Sequence, residues 1–95
     1  MKEELKKIEA LRDEIDAYDR QIVQLLNNRA ECADGIGDIK RRLNMPVYVP
    51  SREEQVIAHV QSFNPGPLSS AAIARLYERI IDESRRLERE TSKID

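Results

Sequence analysis

An arginine interrupts an apolar stripe in the first half of the chain, and it is the residue best placed to do chemistry. Apolar side chains recur there every three or four positions, in two columns that read Ile8, Ile15, Ile22, Arg29, Ile36, Leu43 and Leu11, Tyr18, Leu25, Cys32, Ile39. A guanidinium stays charged in proteins, and burying it without a partner costs several kcal/mol. Arg29 therefore predicts an anion, which is either a carboxylate of the protein or a ligand.

Two other cations lie at informative spacings from Arg29. On a helix, Lys40 lies about 20° away in azimuth and ~16 Å along the axis. Both side chains could hold opposite ends of a small dianion, although an interhelical salt bridge for Arg29 and a solvated charge for Lys40 remain open. Arg12 lies ~25 Å before Arg29, so it could reach a ligand at Arg29 only from a second, antiparallel chain.

A serine and a carboxylate interrupt a second apolar stripe later in the sequence. That stripe reads Ile73, Leu76, Tyr77, Ile80, Ile81, Ser84, Leu87, Glu88. Ser84 and Glu88 share a helix face, so they either line a polar pocket or mark where the helix meets water. Arg52 and Glu53 form a charged pair at the start of another predicted helix, where surface charges are common. The remaining arginines, including Arg85, are interpreted as solvated.

Composition narrows the classes of function. The 95 residues carry 16 basic and 18 acidic side chains, and we expect a single domain, 1–95. The net charge of −2 provides no basic surface for nucleic acid or an anionic membrane. Cys32 is expected in the core, and no Cys/His cluster has metal-ligand spacing. The sequence shows no signal-peptide pattern and no apolar run near the ~18 residues of a membrane helix, which predicts a cytoplasmic protein.

Periodicity and breakers predict an all-α protein with three helices. The first runs from about Lys2 to Leu43 and ends before Pro46, which cannot continue a helix. The second starts near Ser51, where Ser51 and Glu54 form a capping-box pattern, although Pro50 is an equally acceptable first residue. Residues 64–67, Asn-Pro-Gly-Pro, form a turn, after which Ser69 or Ser70 can cap the third helix.

The length of the first helix predicts an assembly. About forty residues span ~60 Å, whereas a compact monomer of this size has a radius of gyration of only ~12 Å. The apolar stripe continues along nearly the whole helix, so the projecting part needs a partner. We predict a homodimer in which the long helices pair. The alternative is a helix broken at residues 35–37 and folded back as a monomeric bundle.

The motifs, taken in order, resemble the all-helical class of chorismate mutases. From about Leu11 to Glu90 the chain contains LR-x-EID, LL-x-x-RA, IG-x-IK, a P-x-Y-x-P-x-RE connector and II-x-ES at the spacing of that family. The resemblance implies an intertwined helical homodimer with two active sites, each built from both chains. It also implies an isomerase without a cofactor, which converts chorismate to prephenate on the route to phenylalanine and tyrosine.

Carried over by position, the resemblance assigns roles in substrate binding. Arg12, donated by the partner chain, and Arg29 would hold the two carboxylates of the substrate. Lys40 would hydrogen-bond the breaking ether oxygen and a carboxylate. Glu53, beside Arg52, would accept the hydrogen bond of the ring hydroxyl.

Three further positions carry over, and two of them, Val49 and Glu88, depart from the residue types of many relatives. Ser84 would contact a carboxylate. Val49 stands where many relatives have aspartate, so only its backbone could serve the substrate. Glu88 stands where several bacterial relatives have glutamine, and it can donate a hydrogen bond only as a neutral acid. Burial and a dianionic substrate raise the pKa of Glu88 while Lys40 lowers it. The sequence alone therefore leaves open whether this pKa is raised or lowered overall.

The implied reaction is a unimolecular rearrangement, which needs no nucleophile, metal or proton transfer. Lys40, Glu88 and Arg29 are therefore expected to act by holding the reactive conformer and by stabilising charge on the ether oxygen. Two alternatives remain. One is a non-catalytic helical dimerisation or regulatory domain, and the other is a lyase of related fold that acts on isochorismate. Whether the chain stands alone or belongs to a larger enzyme is left open.

Overall fold

Three helices make up the protein in the computed structural model, which describes residues 1–94 and the side chains of residues 1–90. They are α1 (Lys2–Arg42), α2 (Pro50–Ser62) and α3 (Ser70–Ile94). No strand is present in residues 1–94. The predicted all-α fold with one very long helix is confirmed.

Helix α1 is continuous over 41 residues. The molecule is 62 Å along its longest axis and its radius of gyration is 17.8 Å, as expected for a helix that projects beyond the rest of the chain. The predicted alternative of a break at residues 35–37 is wrong. Gly37 is buried within the helix, and it serves close packing rather than a bend.

The C-terminal end of α1 lies one residue before the predicted Leu43. Asn44 adopts a left-handed conformation with φ of 55°, which Asn tolerates better than most residues. The N–H of Met45 donates to the carbonyl of Lys40 at 2.8 Å, and that of Asn44 to the carbonyl of Arg41 at 3.2 Å. This pair of bonds is a Schellman motif, and it fixes the backbone at Lys40.

Helix α2 begins at Pro50, one residue before Ser51. Val49 is extended, with φ of −129° and ψ of 95°, because the helical region is disfavoured for a residue that precedes proline. Val49 is therefore the N-cap, and Ser51 already lies inside the first turn. No side chain caps this helix, so the capping box predicted from Ser51 and Glu54 is wrong.

A short polar turn connects α2 to α3. The N–H of Gly66, at φ of 77°, donates to the side-chain oxygen of Asn64 at 3.2 Å, and the Asn64 amide donates to the Leu68 carbonyl at 2.7 Å. The Ser69 hydroxyl accepts the N–H of Ala72 at 3.1 Å. Of the two predicted caps for α3, Ser69 is the one that forms.

Helix α3 holds the fold together. It packs against α2 and against α1, whereas within the described residues no Cα atom of α1 lies within 8 Å of one in α2. The buried hydrophobic side chains of residues 1–90 are Val60 and Ile81. Cys32, predicted to lie in a core, is exposed in the single chain.

The N-terminal two thirds of α1 carries an uncovered apolar face. Its large exposed side chains are Leu5, Ile8, Leu11, Ile15, Tyr18, Ile22, Val23, Leu25 and Leu26. Monomeric proteins rarely expose continuous apolar surfaces of this kind. None of the helices in residues 1–94 combines the length and the apolar character required to cross a membrane.

Candidate active site

A cavity of about 380 Å³ opens where the C-terminal third of α1, the connector 43–49, the start of α2 and the second half of α3 meet. Its lining includes seven of the predicted site residues: Arg29, Lys40, Val49, Arg52, Glu53, Ser84 and Glu88. A volume of this size suits a small-molecule ligand. The structure thus brings together residues that lie up to 59 positions apart in the sequence.

Arg29 is half-buried on the face of α1 that meets α3. Its Nη1 donates to the Ser84 hydroxyl at 3.5 Å, and the guanidinium lies 5.9 Å from the centre of the Tyr77 ring. Ser84 in turn donates to the carbonyl of Ile80 at 3.1 Å. No carboxylate of residues 1–90 lies within salt-bridge distance of Arg29, so the interhelical salt bridge considered for it is absent from the chain.

Lys40 lines the same cavity, less than one turn before the end of α1. The Schellman motif holds its carbonyl, and the side chain is half-buried. It forms no ion pair with a described carboxylate. Lys40 and Arg29 therefore present two positive charges to one cavity. Neither forms an ion pair with a carboxylate of residues 1–90.

Glu88 projects from α3 toward α1, and Gly37 makes room for it. A methyl group on Gly37 would lie 3.1 Å from the Glu88 carboxyl carbon, which is closer than normal van der Waals contact. Burial raises the pKa of Glu88, and the nearby Asp34 carboxylate adds to this, whereas Arg41, Lys40 and Arg85 act in the opposite direction. The net effect is upward, which favours the neutral acid.

Three of the predicted site residues lie in the first turn of α2 and at its N-cap. Glu53 is half-buried, and its Oε1 lies 3.6 Å from Nη2 of Arg85. Arg52 is exposed and lines the cavity rim beside it. The carbonyl of Val49 accepts the N–H groups of Arg52 at 3.0 Å and of Glu53 at 3.4 Å. That carbonyl is therefore occupied in starting the helix.

Arg12 is the predicted site residue that the chain does not bring to the cavity. It lies on the exposed part of α1, where its Nη1 binds Oε1 of Glu9 at 2.8 Å. Both side chains are about two-thirds exposed, at 68% and 67%. Such a surface pair is weak, so Arg12 can exchange Glu9 for another anion.

Arg85 belongs to the cavity, although the sequence pattern placed it in solvent. It lines the cavity, pairs with Glu53 and Asp82, and stacks on the Tyr48 ring at 4.7 Å. The spacing of residues along α3 could have revealed this position. Arg85 follows the buried Ile81 by four residues and precedes Glu88 by three, and both spacings keep side chains on one helix face.

The comparisons with known proteins agree with this geometry. The sequence profile of the family "Chorismate mutase type II" matches residues 11–89. The chain belongs to this family. The family assignment predicted from the motifs is confirmed.

The relatives of this chorismate mutase family member include longer proteins. The bifunctional chorismate mutase/prephenate dehydratase of Aquifex aeolicus is 38% identical over 89 residues, which are 90% of this chain and 25% of the relative. The 4-amino-4-deoxychorismate mutase of Streptomyces pristinaespiralis is 32% identical over 84 residues, or 87% of this chain and 65% of that protein. The chain thus spans about a quarter of the length of the bifunctional relative.

A solved structure of a chorismate mutase has the same fold. The enzyme from Thermus thermophilus (form II) aligns with a TM-score of 0.85 and 37% identity. The alignment covers 87% of this chain and 94% of that one. The three-helix architecture is therefore that of the type II chorismate mutases.

Proposed function

We propose that this chain is a chorismate mutase that rearranges chorismate to prephenate in the cavity between α1, α2 and α3. The observation that carries the proposal is the pair of cations, Arg29 and Lys40, that face one cavity without a carboxylate partner among residues 1–90. Chorismate supplies two carboxylates and an ether oxygen, which match this surplus of positive charge. A structural domain would have no need to keep these charges unpaired.

The catalytic contribution is conformational and electrostatic. Arg29 binds a carboxylate through charge-assisted hydrogen bonds and holds the substrate in its reactive chair-like shape. Lys40 donates to the ether oxygen, where negative charge grows as the C–O bond breaks. Ser84, beside Arg29, contacts the same carboxylate. Arg52 adds positive charge at the rim of the cavity.

Glu88 assists as a neutral acid. An ionised carboxylate would repel the developing oxyanion, whereas a protonated one donates a hydrogen bond to it. The upward direction of the Glu88 pKa, caused first by burial, supports this role. Val49 contributes apolar lining, since its carbonyl is engaged by the N-terminus of α2.

The complete enzyme is a homodimer in which Arg12 of each chain enters the cavity of the other. The uncovered apolar face of α1 supports this assembly, because pairing of the long helices would bury it. The distance of ~25 Å between Arg12 and Arg29 on one helix requires that the second arginine come from an antiparallel partner.

The activity is tested by following the loss of chorismate absorbance and identifying the product. Prephenate is expected. A chain that leaves chorismate unchanged would refute the proposed activity in favour of a non-catalytic helical domain. A chain that consumes isochorismate but not chorismate would identify the lyase instead.

The shared site is tested by mixing two inactive variants. Arg12→Ala and Arg29→Ala each damage both sites of their own homodimer. A heterodimer of the two has one intact site, so subunit exchange in an equal mixture should restore about one quarter of wild-type activity. Each variant taken through the same exchange alone is the control. No recovery in a mixture proven to contain heterodimers would show that Arg12 does not cross the interface.

The compound 4-amino-4-deoxychorismate is a useful alternative substrate. The Streptomyces relative is named for 4-amino-4-deoxychorismate, which carries an amine where chorismate carries the ring hydroxyl. In the proposed binding mode this substituent meets Glu53. Comparing kcat/KM for the two compounds therefore measures what the α2 side of the cavity recognises.

A further inference from the structure

Arg85 joins three elements at the wall of the cavity. From α3 it reaches Oε1 of Glu53 on α2 at 3.6 Å, and its guanidinium lies 4.7 Å from the ring of Tyr48 in the connector. Asp82, one turn earlier on α3, also accepts a hydrogen bond from it. Within residues 1–90, the other ion pairs link residues three or four apart on one helix. The contact between Arg85 and Glu53 is thus the ion pair that connects two helices.

The surroundings of Arg85 are partly shielded from water. Its side chain is 34% exposed and that of Glu53 is 25% exposed. A second cavity of about 360 Å³ shares Val47, Tyr48, Arg85 and Glu88 with the first, so Arg85 borders both. The Nε of Arg85 is buried and has no hydrogen-bond partner. Charge at this position is screened less than on an open surface.

We infer that Arg85 makes the site selective for a ring hydroxyl over a ring amine, because it compensates the charge of Glu53. The inference rests on the proposed function, in which Glu53 accepts a hydrogen bond from the ring substituent. A carboxylate that is already paired with a guanidinium can still accept a hydrogen bond from a neutral hydroxyl. A free carboxylate would instead favour a cation at the same place.

The ring amine is the disfavoured ligand for an electrostatic reason. Aliphatic amines are mostly protonated at neutral pH, so the amine of 4-amino-4-deoxychorismate brings a positive charge next to Glu53. Because the Arg85 guanidinium offsets the negative charge of Glu53, the ammonium gains less attraction at this carboxylate to balance its lost hydration. A neutral hydroxyl loses less hydration and therefore depends less on that attraction.

Arg85 also positions Glu53. Tyr48 packs against one face of the guanidinium and Asp82 binds its edge, so the cation has little freedom. Because α2 packs along α3 and its described Cα atoms stay more than 8 Å from those of α1, α3 is the helix that places Glu53 over the cavity. Loss of Arg85 should therefore lower chorismate turnover and, separately, relax the choice of ring substituent.

The test compares kcat/KM for chorismate and for 4-amino-4-deoxychorismate in Arg85→Met, which keeps the side-chain length and removes the charge. The kcat/KM for chorismate divided by that for 4-amino-4-deoxychorismate should fall by about tenfold, equivalent to ~1.4 kcal/mol. Arg86→Met is the matched control, since the neighbouring Arg86 is exposed and does not line either cavity. Its ratio should stay within about twofold of wild type.

A double-mutant cycle separates this role from a structural one. In a Glu53→Gln background, Arg85→Met should leave the ratio unchanged, because the effect passes through the Glu53 carboxylate. Arg85→Gln replaces Arg85→Met in both backgrounds if circular dichroism shows that the methionine variant is unfolded. An unchanged ratio in the folded Arg85 variant, or an equal fall in both backgrounds, would overturn the inference. Wild-type protein that turns over neither compound would instead refute the proposed function, and the inference with it.

Discussion

Gly37 offers a direct test of whether Glu88 must be placed accurately. An added methyl group at Gly37 would lie 3.1 Å from the Glu88 carboxyl carbon, 3.3 Å from its Cγ and 3.3 Å from its Oε2. In Gly37→Ala, Glu88 must therefore move by a few tenths of an ångström. The side chain borders the cavity, so it can move into open space without disturbing the helix backbone.

Stability and activity should respond differently to Gly37→Ala. Replacing glycine by alanine inside a helix contributes about 1 kcal/mol of stability, and the crowding at Glu88 offsets a similar amount. The free energy of unfolding should thus stay within about 1 kcal/mol of wild type. A misplacement of 1 Å can reduce a catalytic rate by ~10², so the smaller shift expected here should lower kcat/KM by about tenfold.

Gly35→Ala is the matched control. A methyl group at Gly35 meets nothing within 4 Å, so this variant should gain the full ~1 kcal/mol, or about 4–8 °C in Tm, with unchanged turnover. Thermal melts at equal protein concentration and chorismate consumption measure the two quantities. If Gly37→Ala keeps wild-type kcat/KM, or if Gly35→Ala loses as much, the close packing of Gly37 on Glu88 is not what positions the acid.

Two further variants test the charges of the cavity. The fraction of Glu88 in the acid form grows as pH falls, and burial, which raises its pKa, moves this change to higher pH than for a free carboxyl group. The value of kcat/KM should therefore rise from about pH 8 toward about pH 5. Glu88→Gln, which is neutral throughout, should remove this rise in a pH–rate profile; a flat wild-type profile would contradict the role of the acid. Arg29→Ala should lower kcat/KM by ~10²–10³ while changing the free energy of unfolding by less than about 1 kcal/mol, because its hydrogen bond to Ser84 is long, at 3.5 Å. A melt and an activity assay on the same sample decide this, and a loss of stability that accounts for the loss of activity would contradict it.

Much of the fold follows from local patterns in the sequence. The spacing of apolar residues predicted α1 as one long helix, and Pro46 predicted its end to within one residue. At the start of α2 two local rules compete, and the sequence left Ser51 and Pro50 equally acceptable as the first residue. The Ser51–Glu54 pattern favours a capping box, but Pro50 fixes the extended conformation of Val49 and moves the first turn one residue earlier.

The candidate site was predictable where a polar residue interrupts an apolar stripe. Arg29 and Glu88 stand out in this way, and both line the cavity. Arg85 was missed because it lies among other charged residues, and no local pattern shows that α2 and the connector fold over it. Its pairing with Glu53 joins residues 32 positions apart, so it depends on tertiary packing. The origin of Arg12 in a partner chain remains a prediction.

Because few side chains are buried in the single chain, the stability of the proposed enzyme depends on its concentration. Since Val60 and Ile81 are the buried hydrophobic residues of the described part, a single chain hides little apolar surface from water. In the proposed dimer, most of the hydrophobic stabilisation would form only on association, so folding and assembly become one equilibrium. Each tenfold dilution would then remove about 1.4 kcal/mol of apparent stability. A cell that makes little of this protein would therefore hold it closer to its unfolding threshold than a cell that makes much of it.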